Sequence, residues 1–231
     1  MISFNKYLFL ISILLCIGCK TSESATYKSK QALKNNYLIG NSIANYDGIS
    51  DTTFVKLKNY SNDFVFDMKY ATEDNFLKQK VYACEECYLR MKTIKYLIAA
   101  NTEFQKKGYR IKLLDCYRPL DVQKKMWELV PNADYVADPK KGSVHNRGGA
   151  VDITLVDAKG KELDMGTPFD FFGPEASHKY QGFSNKINKN RAYLKAVMLQ
   201  NNFKSFDSEW WHYNLSESTK EKLANFQWEC N

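Results

Sequence analysis

Apolar and polar residues alternate along two stretches of the chain, at residues 63–72 and 150–155. This period of two predicts strands, each with one face towards a core. In the second stretch Val151, Ile153 and Leu155 share the face predicted to be in the core, and the opposite face is predicted to line a cleft. Residues 109–115 are predicted as a further strand.

A helical spacing of apolar residues predicts helices at residues 89–107, 121–130 and 190–203. Gly108 stands where helices commonly end. A last helix is expected after Ser218, because Ser218 and Glu221 have the spacing of a capping box. The chain of 231 residues has no internal repeat and can bury one full core, so we predict a single α+β domain.

The N-terminal stretch predicts export. Residues 7–18 are almost wholly apolar and follow Lys6, as in a signal peptide. The sequence up to Cys19 resembles a bacterial lipobox with Cys19 as the lipidated residue, although Cys16 stands where leucine is usual; plain secretion is the alternative. We therefore predict a lipoprotein-type signal peptide at residues 1–18, a flexible polar tether at 19–50 and the folded domain at 51–231.

Charge and cysteine content fit the cell envelope. The net charge is +7, but the lysines are scattered, which argues against nucleic acid as a partner. If Cys19 carries lipid, an even number of cysteines remains for disulfides. These are Cys84, Cys87, Cys116 and Cys230. The C-x-x-C formed by the first two favours a structural disulfide over a redox pair or half a zinc site, and the pairing stays open.

The candidate chemistry begins at Ser143-Val144-His145-Asn146-Arg147-Gly148-Gly149-Ala150-Val151-Asp152. A straight strand would put His145 and Asp152 on opposite faces, because their separation is odd. The glycine pair Gly148-Gly149 can supply a turn or bulge that brings both side chains together. Together they would be two ligands of a catalytic zinc ion, although a hydrogen-bonded pair within the core is the simpler alternative.

A second motif, Glu209-Trp210-Trp211-His212, supplies candidates for the third ligand and a general base. Zinc held by His145, Asp152 and His212 would leave one position open. Glu209 could then take a proton from water. Arg118, fixed by the following proline, could stabilise an oxyanion, and a surface salt bridge is its simpler alternative.

These motifs carry a family resemblance. The pattern S-x-H-x-x-G-x-A-x-D followed by E-x-x-H, with Tyr117-Arg118-Pro119 upstream, resembles the D-alanyl-D-alanine dipeptidases (VanX-like zinc peptidases). The similarity spans about residues 63–213 and includes two further sequence motifs. They are Asp67-Met68-Lys69-Tyr70-Ala71-Thr72 with Asn75-Phe76, and Asp164-Met165-Gly166-Thr167-Pro168-Phe169-Asp170. The resemblance implies the zinc fold shared with D-Ala-D-Ala carboxypeptidases (hedgehog-like), an antiparallel sheet flanked by helices.

The resemblance also implies a role for each site residue. One zinc ion per chain would be bound by His145, Asp152 and His212. Glu209 would be the base and Arg118 the transition-state stabiliser. Ser143 and Asp170 would hold the dipeptide, Asp170 by receiving its ammonium, although a turn-capping role for Asp170 is an equal alternative from the residues alone. Tyr70 would form part of the pocket wall.

The resemblance implies hydrolysis of D-Ala-D-Ala by a zinc metallopeptidase, with a role in cell-wall peptide turnover. The predicted export signal places this enzyme in the bacterial cell envelope, with a lipid anchor to a membrane. The first alternative is a peptidoglycan D,D- or L,D-carboxypeptidase or endopeptidase of the same fold. The second is a non-catalytic zinc-binding lipoprotein of the envelope. Departures from the family pattern are the lipobox-like start, Cys116 before Tyr-Arg-Pro and the Cys84/Cys87 pair.

Overall fold

A computed structural model describes residues 46–133 and 135–230, with a short hairpin of β1 (Leu38–Ile39) and β2 (Ser42–Ile43) before them. The predicted signal peptide, Cys19 and most of the predicted tether lie outside the described residues. The hairpin falls within the range predicted as tether. Across the part that is described, no helix has the length and apolar character needed to cross a membrane.

A five-stranded sheet forms the centre of the domain. Its strands, in spatial order, are β4 (Val65–Phe66), β6 (Arg110–Asp115), β7 (Ala150–Val156), β9 (Glu209–Leu215) and β8 (Phe203–Phe206). All neighbours are antiparallel except β4 and β6, which are parallel. A separate antiparallel pair joins β3 (Phe54–Lys56) to β5 (Tyr88–Arg90). The predicted α+β class with a largely antiparallel sheet is confirmed.

Three α-helices are present among the described residues: α1 (Met91–Gln105), α2 (Leu120–Leu129) and α3 (Asn185–Gln200). Their apolar faces contribute fully buried side chains to the core, including Ile94, Leu97 and Leu194. The helix α3 begins five residues before its predicted start, because the Ser184 side chain accepts a hydrogen bond from the Ile187 amide and caps it.

The strand predicted at residues 63–72 is mostly wrong. Pairing with β6 covers only Val65 and Phe66, and Lys69–Ala71 form a 3₁₀ turn. The Tyr70 carbonyl accepts hydrogen bonds from the amides of Val81 and Tyr82, which belong to a loop and not to a strand. The alternation therefore reflects burial of Met68 and Tyr70 without a continuous strand.

The predicted last helix is also wrong. Ser218–Lys220 form a single 3₁₀ turn, and residues 221–230 have no regular structure. Packing decides this segment: the Phe226 ring stacks on Tyr117 with centroids 4.5 Å apart, and Trp228 packs against Tyr82. The apolar residues of this segment have helical spacing, but they pack against the domain from an irregular segment.

Two disulfides resolve the cysteine pairing. Cys84 is bonded to Cys230, and Cys87 to Cys116. A bond within the C-x-x-C is thereby excluded. The first disulfide ties down the C-terminal segment, and the second joins the chain before β5 to the residue that follows β6.

Candidate metal centre and active site

The strands β7 and β9 bring two of the predicted ligands together. Every residue of β7 is buried, since the strand is central in the sheet. Asp152 on β7 pairs directly with His212 on β9. Paired residues project to the same side of a sheet, so both side chains enter one cleft.

A 3₁₀ turn before β7 supplies the third predicted ligand. The turn covers His145–Arg147 and ends at Gly148, whose φ of 69° is left-handed. A side chain at Gly148 would also collide with the ring of Phe54, because a Cβ atom there would lie 2.2 Å from it. Gly148 therefore provides the predicted reversal as a turn, which places His145 beside Asp152 despite their odd separation.

The side chains of the three predicted ligands converge at this point. His145 Nε2 lies 3.2 Å from His212 Nδ1 and 3.4 Å from Asp152 Oδ2. His212 Nδ1 lies 3.0 Å from Asp152 Oδ1. Neighbouring ligands of tetrahedral zinc, bound at about 2.1 Å, lie roughly 3.3 Å apart. These distances between the two imidazole nitrogens and the Asp152 carboxylate fit a zinc ion bound by the three residues.

The hydrogen bonds of the two imidazoles support the same conclusion. His145 Nδ1 donates to the Cys116 carbonyl at 2.7 Å, and His212 Nε2 donates to Asn214 Oδ1 at 2.9 Å. In neutral rings these bonds leave lone pairs on the nitrogens that face each other and the carboxylate. Three acceptors converging on one point are suited to hold a metal cation between them.

Glu209 lies beside these three residues, at the start of β9. Its Oε2 atom is 3.9 Å from His212 Nδ1, and its side chain lines the same cavity of about 600 Å³. Burial raises the pKa of the Glu209 carboxyl, with Asp152 adding to the effect. A carboxylate whose pKa is raised towards neutrality is suited to general base catalysis.

Arg118 lines the cavity from the end of β6. Its Nη2 donates to Asp115 Oδ2 at 2.6 Å and its Nη1 to Gln123 Oε1 at 2.9 Å. Burial alone would lower the pKa of Arg118, but the Asp115 carboxylate raises it well above its usual value. The surface salt bridge considered from sequence is excluded, because Arg118 is only 7% exposed.

Asp170 and Tyr70 form another part of the wall. The Tyr70 hydroxyl donates to Asp170 Oδ2 at 3.0 Å, and both residues line the cavity. Burial raises the pKa of the Asp170 carboxyl well above its usual value, and the negative charge of Asp152 adds to this. A cation next to Asp170 would favour the ionised form of this carboxyl.

Ser143 completes the set. Its hydroxyl accepts a hydrogen bond from the His145 amide at 3.2 Å, so it stabilises the turn as well as facing the cavity. All eight predicted site residues within the described chain thus line one cavity. They are Tyr70, Arg118, Ser143, His145, Asp152, Asp170, Glu209 and His212.

Two supporting residues were missed in the sequence. Asp115 is fully buried, accepts hydrogen bonds from Tyr82 and Arg118, and lies 3.6 Å from His145 Nδ1. Asn214 fixes the ring of His212. Asn214 had a signal, because it lies two residues beyond His212, on the same face of its strand. Asp115 had none beyond its place at the end of a strand.

Comparison with known proteins decides the family. The family model described as D-ala-D-ala dipeptidase matches residues 50–229. The chain belongs to the D-Ala-D-Ala dipeptidase family. Its members are zinc metallopeptidases, so the chain is an enzyme of the hydrolase class. The resemblance found in the sequence is confirmed.

Named relatives of this dipeptidase family cover most of the domain. The chain is 35% identical over 184 residues to D-alanyl-D-alanine dipeptidase of Escherichia coli K12, covering 79% of this chain and 95% of that protein. The protein of that name from Enterococcus faecium is 31% identical over 173 residues, covering 66% and 86%. A solved structure of a VanY D,D-pentapeptidase variant with Zn(II) is 16% identical, with a TM-score of 0.37 and coverage of 58% and 78%.

Proposed function

We propose that this protein is a dipeptidase that hydrolyses D-alanyl-D-alanine in a zinc-dependent reaction. The observation that carries the proposal is the convergence of His145, Asp152 and His212 in one cavity with Glu209, Arg118 and Asp170. The family's relatives are named for this reaction.

His145, Asp152 and His212 would hold one zinc ion per chain. Only this group of His, Cys, Asp and Glu side chains within the described residues could hold a metal ion. When bound, zinc supplies a Lewis acid that polarises the scissile carbonyl and lowers the pKa of water. Hydrogen bonds to the Cys116 carbonyl and to Asn214 Oδ1 fix the tautomers of His145 and His212. They leave the other nitrogen of each ring free to bind the metal.

Glu209 acts as the general base. Its carboxylate takes a proton from the attacking water and passes it to the nitrogen of the leaving D-alanine. Glu209 Oε2 lies 3.9 Å from His212 Nδ1. This position supports the role, because the base must lie close to the water that the metal ligands surround. Burial raises the pKa of the Glu209 carboxyl, which makes it a stronger proton acceptor.

Arg118 stabilises the oxyanion. Two of its guanidinium nitrogens are held by Asp115 and Gln123, and the ring of Tyr70 lies 5.1 Å from its central carbon. A guanidinium has five N–H donors, and the contacts to Asp115 and Gln123 use two of them, so donors remain for a ligand. A fixed cation exerts its field without reorganising, which favours the charged transition state.

Asp170 receives the free ammonium of the dipeptide, with Tyr70 orienting its carboxylate and Ser143 contacting the substrate. A buried carboxylate gains a counter-ion only from a substrate with a free amino terminus one residue before the scissile bond. This preference separates a dipeptidase from a carboxypeptidase or endopeptidase that trims longer, N-acylated peptides.

The test compares hydrolysis of D-Ala-D-Ala and N-acetyl-D-Ala-D-Ala by the purified protein, with and without a chelator. We expect chelator-sensitive cleavage with a strong preference for the free dipeptide. Preference for the acylated peptide would favour the carboxypeptidase alternative. A panel of D,D, L,D and L,L dipeptides in the same assay defines the stereochemical preference.

We also propose that the enzyme works in the bacterial cell envelope, anchored through lipid on Cys19. The apolar stretch and the lipobox-like sequence before Cys19 support the proposal. Mass spectrometry of the full chain expressed in a bacterium provides the test. A lipid-sized mass increase that is absent from Cys19→Ser is expected, and an unmodified mature N-terminus would favour plain secretion.

A further inference from the structure

We infer that Arg191 is a positioning residue that holds Asp170 in place to receive the substrate ammonium. The inference rests on the proposed function, since it assigns Arg191 a part in the selection of free dipeptides. Arg191 lies on α3 and is absent from the cavity wall, so it would act through the loop that carries Asp170.

The loop that carries Asp170, residues 164–177, is called the Asp170 loop. Arg191 donates hydrogen bonds to both of its arms. On the first arm its Nε donates to the Met165 carbonyl at 2.6 Å and its Nη2 reaches Thr167 Oγ1 at 3.4 Å. On the second arm its Nη1 donates to the carbonyls of Glu175 and Ser177 at 2.8 and 3.2 Å. One guanidinium therefore closes the loop at its base, and Asp170 lies between the two arms.

Asp170 has a backbone conformation that needs such support. Its φ of 56° is left-handed, which costs free energy for a residue other than glycine. This conformation accompanies the contact between its carboxylate and Tyr70 in the substrate cavity. A loop free to relax would lose the left-handed turn and move the carboxylate away from the ammonium site.

The loop is also tied to the strand that carries the catalytic groups. Thr167 Oγ1, which Arg191 reaches, accepts a hydrogen bond from Trp210 Nε1 at 2.8 Å. Trp210 follows Glu209 directly on β9. The contacts of Arg191 therefore fix the distance between Asp170 and β9, the strand that carries Glu209 and His212.

The chemistry of the contacts requires arginine. The oxygens that accept hydrogen bonds from Arg191 in the described structure are all neutral, and its guanidinium carbon lies 4.7 Å from the ring centre of Phe183. Burial lowers the pKa of Arg191 to about 10. Lysine would keep the charge, but a single ammonium cannot span four acceptors on two arms.

The experiment measures kcat and KM of Arg191→Lys for D-Ala-D-Ala and for N-acetyl-D-Ala-D-Ala. Where hydrolysis of the acylated peptide is too slow, its Ki as a competitor replaces its rate. We expect the preference for the free dipeptide to fall about tenfold or more, chiefly through KM, since small misplacements of a binding group have effects of that size. A lower fraction of folded enzyme lowers the apparent kcat for both substrates and leaves KM and Ki unchanged.

Two further variants keep the inference falsifiable. Thr167→Val removes one of the four acceptors and should reduce the same ratio by a smaller factor. Lys195→Ala removes a positive charge one turn further along α3 without touching the loop, and should keep the wild-type ratio. An unchanged ratio in Arg191→Lys would overturn the inference even if Thr167→Val changes it, because Thr167 Oγ1 also accepts a hydrogen bond from Trp210. Failure of wild-type enzyme to cleave the free dipeptide would instead refute the proposed function.

Discussion

Asp152 and His212 face each other directly across β7 and β9, with Oδ1 and Nδ1 3.0 Å apart. The two residues are 60 positions apart in the chain, yet the sheet register alone makes them neighbours. A slip of one residue would turn either side chain to the opposite face. The metal centre therefore depends on the register of two central strands, with His145 added by the turn before β7.

Loss of a ligand should remove the metal and destabilise the fold together. We expect His212→Ala to lose bound zinc and activity, and chelation to lower the melting temperature of the wild type, because a ligand that binds the native state stabilises it. Metal analysis and thermal unfolding provide the measurements. His178→Ala is the matched control, since His178 is the remaining histidine of the chain and lies outside the cavity. Zinc retained by His212→Ala would contradict the assigned set.

Removal of the base should separate chemistry from metal binding. Glu209→Gln keeps the shape of the side chain but cannot accept a proton from water. We expect kcat to fall about 10²- to 10⁴-fold, with zinc content unchanged and KM altered little. Glu103→Gln on the exposed face of α1 is a control for the loss of one carboxylate. Near wild-type turnover by Glu209→Gln would exclude Glu209 as the base.

The oxyanion role of Arg118 predicts a loss in kcat even when the charge is retained. Arg118→Lys cannot keep its contacts to Asp115 and Gln123 and also present a free donor to the cavity. We expect kcat to fall about 10²- to 10³-fold with a smaller change in KM, as for other donors that stabilise an oxyanion. Steady-state kinetics with D-Ala-D-Ala measure both. A rise in KM with unchanged kcat would instead assign Arg118 to ground-state binding.

The sequence predicted the parts of the site that are written in local motifs. The spacing of His145 and Asp152 around Gly148, and the E-x-x-H at Glu209, identify groups whose side chains lie close together in the structure. The central strands β6 and β7 and the three helices were predicted from periodicity, because each has a continuous face in the core, whereas β9 was not predicted as a strand. These features could be predicted because neighbouring residues determine them.

Long-range packing could not be predicted in this way. The segment 221–230 has apolar residues at helical spacing, but its rings pack individually against Tyr117, Tyr82 and Tyr88. The disulfide partners of Cys84 and Cys87 are likewise set by tertiary contacts. Asp115 has no motif that distinguishes it from any other carboxylate at a strand end, and its role depends on Tyr82, which approaches from a distant loop.

The buried carboxyl of Asp170, which is proposed to bind the substrate ammonium, should lower the stability of the folded protein at neutral pH. Burial raises the pKa of its carboxyl, so the folded protein holds a proton that the unfolded chain releases. Stability therefore falls as the pH rises from the unfolded-state pKa, about 3.9, towards the raised folded-state pKa, and the deficit remains at higher pH. Asp170→Asn keeps an acceptor for Tyr70, and asparagine tolerates the left-handed backbone.

Asp170→Asn should accordingly be more stable than wild type at neutral pH, by roughly 2 to 4 °C in melting temperature for each kcal/mol gained. The difference should shrink towards zero in acid, and activity on the free dipeptide should fall. Melting temperatures of zinc-free protein between pH 4 and pH 8 provide the test. An equal stability difference at all pH values would show that ionisation of Asp170 is not its cause.

The two disulfides should have different effects on stability and on the metal site. They join residues 146 and 29 positions apart, so the chain-entropy model assigns about 5 kcal/mol to Cys84–Cys230 and about 4 kcal/mol to Cys87–Cys116. Only the second holds a residue of the site, because the Cys116 carbonyl accepts the hydrogen bond from His145 Nδ1. Unfolding by denaturant compares the stabilities, and competition with a chelator compares the zinc affinities.

We expect the double variant Cys84→Ala with Cys230→Ala to lose more stability but to keep its zinc affinity. Cys87→Ala with Cys116→Ala should bind zinc about 10- to 100-fold more weakly, as when an outer-shell partner of a ligand is disturbed. Each double variant is the control for the other, because both remove one disulfide and leave no free thiol from it. Equal zinc affinities in the two would mean that the Cys116 carbonyl is held in place by the sheet alone, without the disulfide.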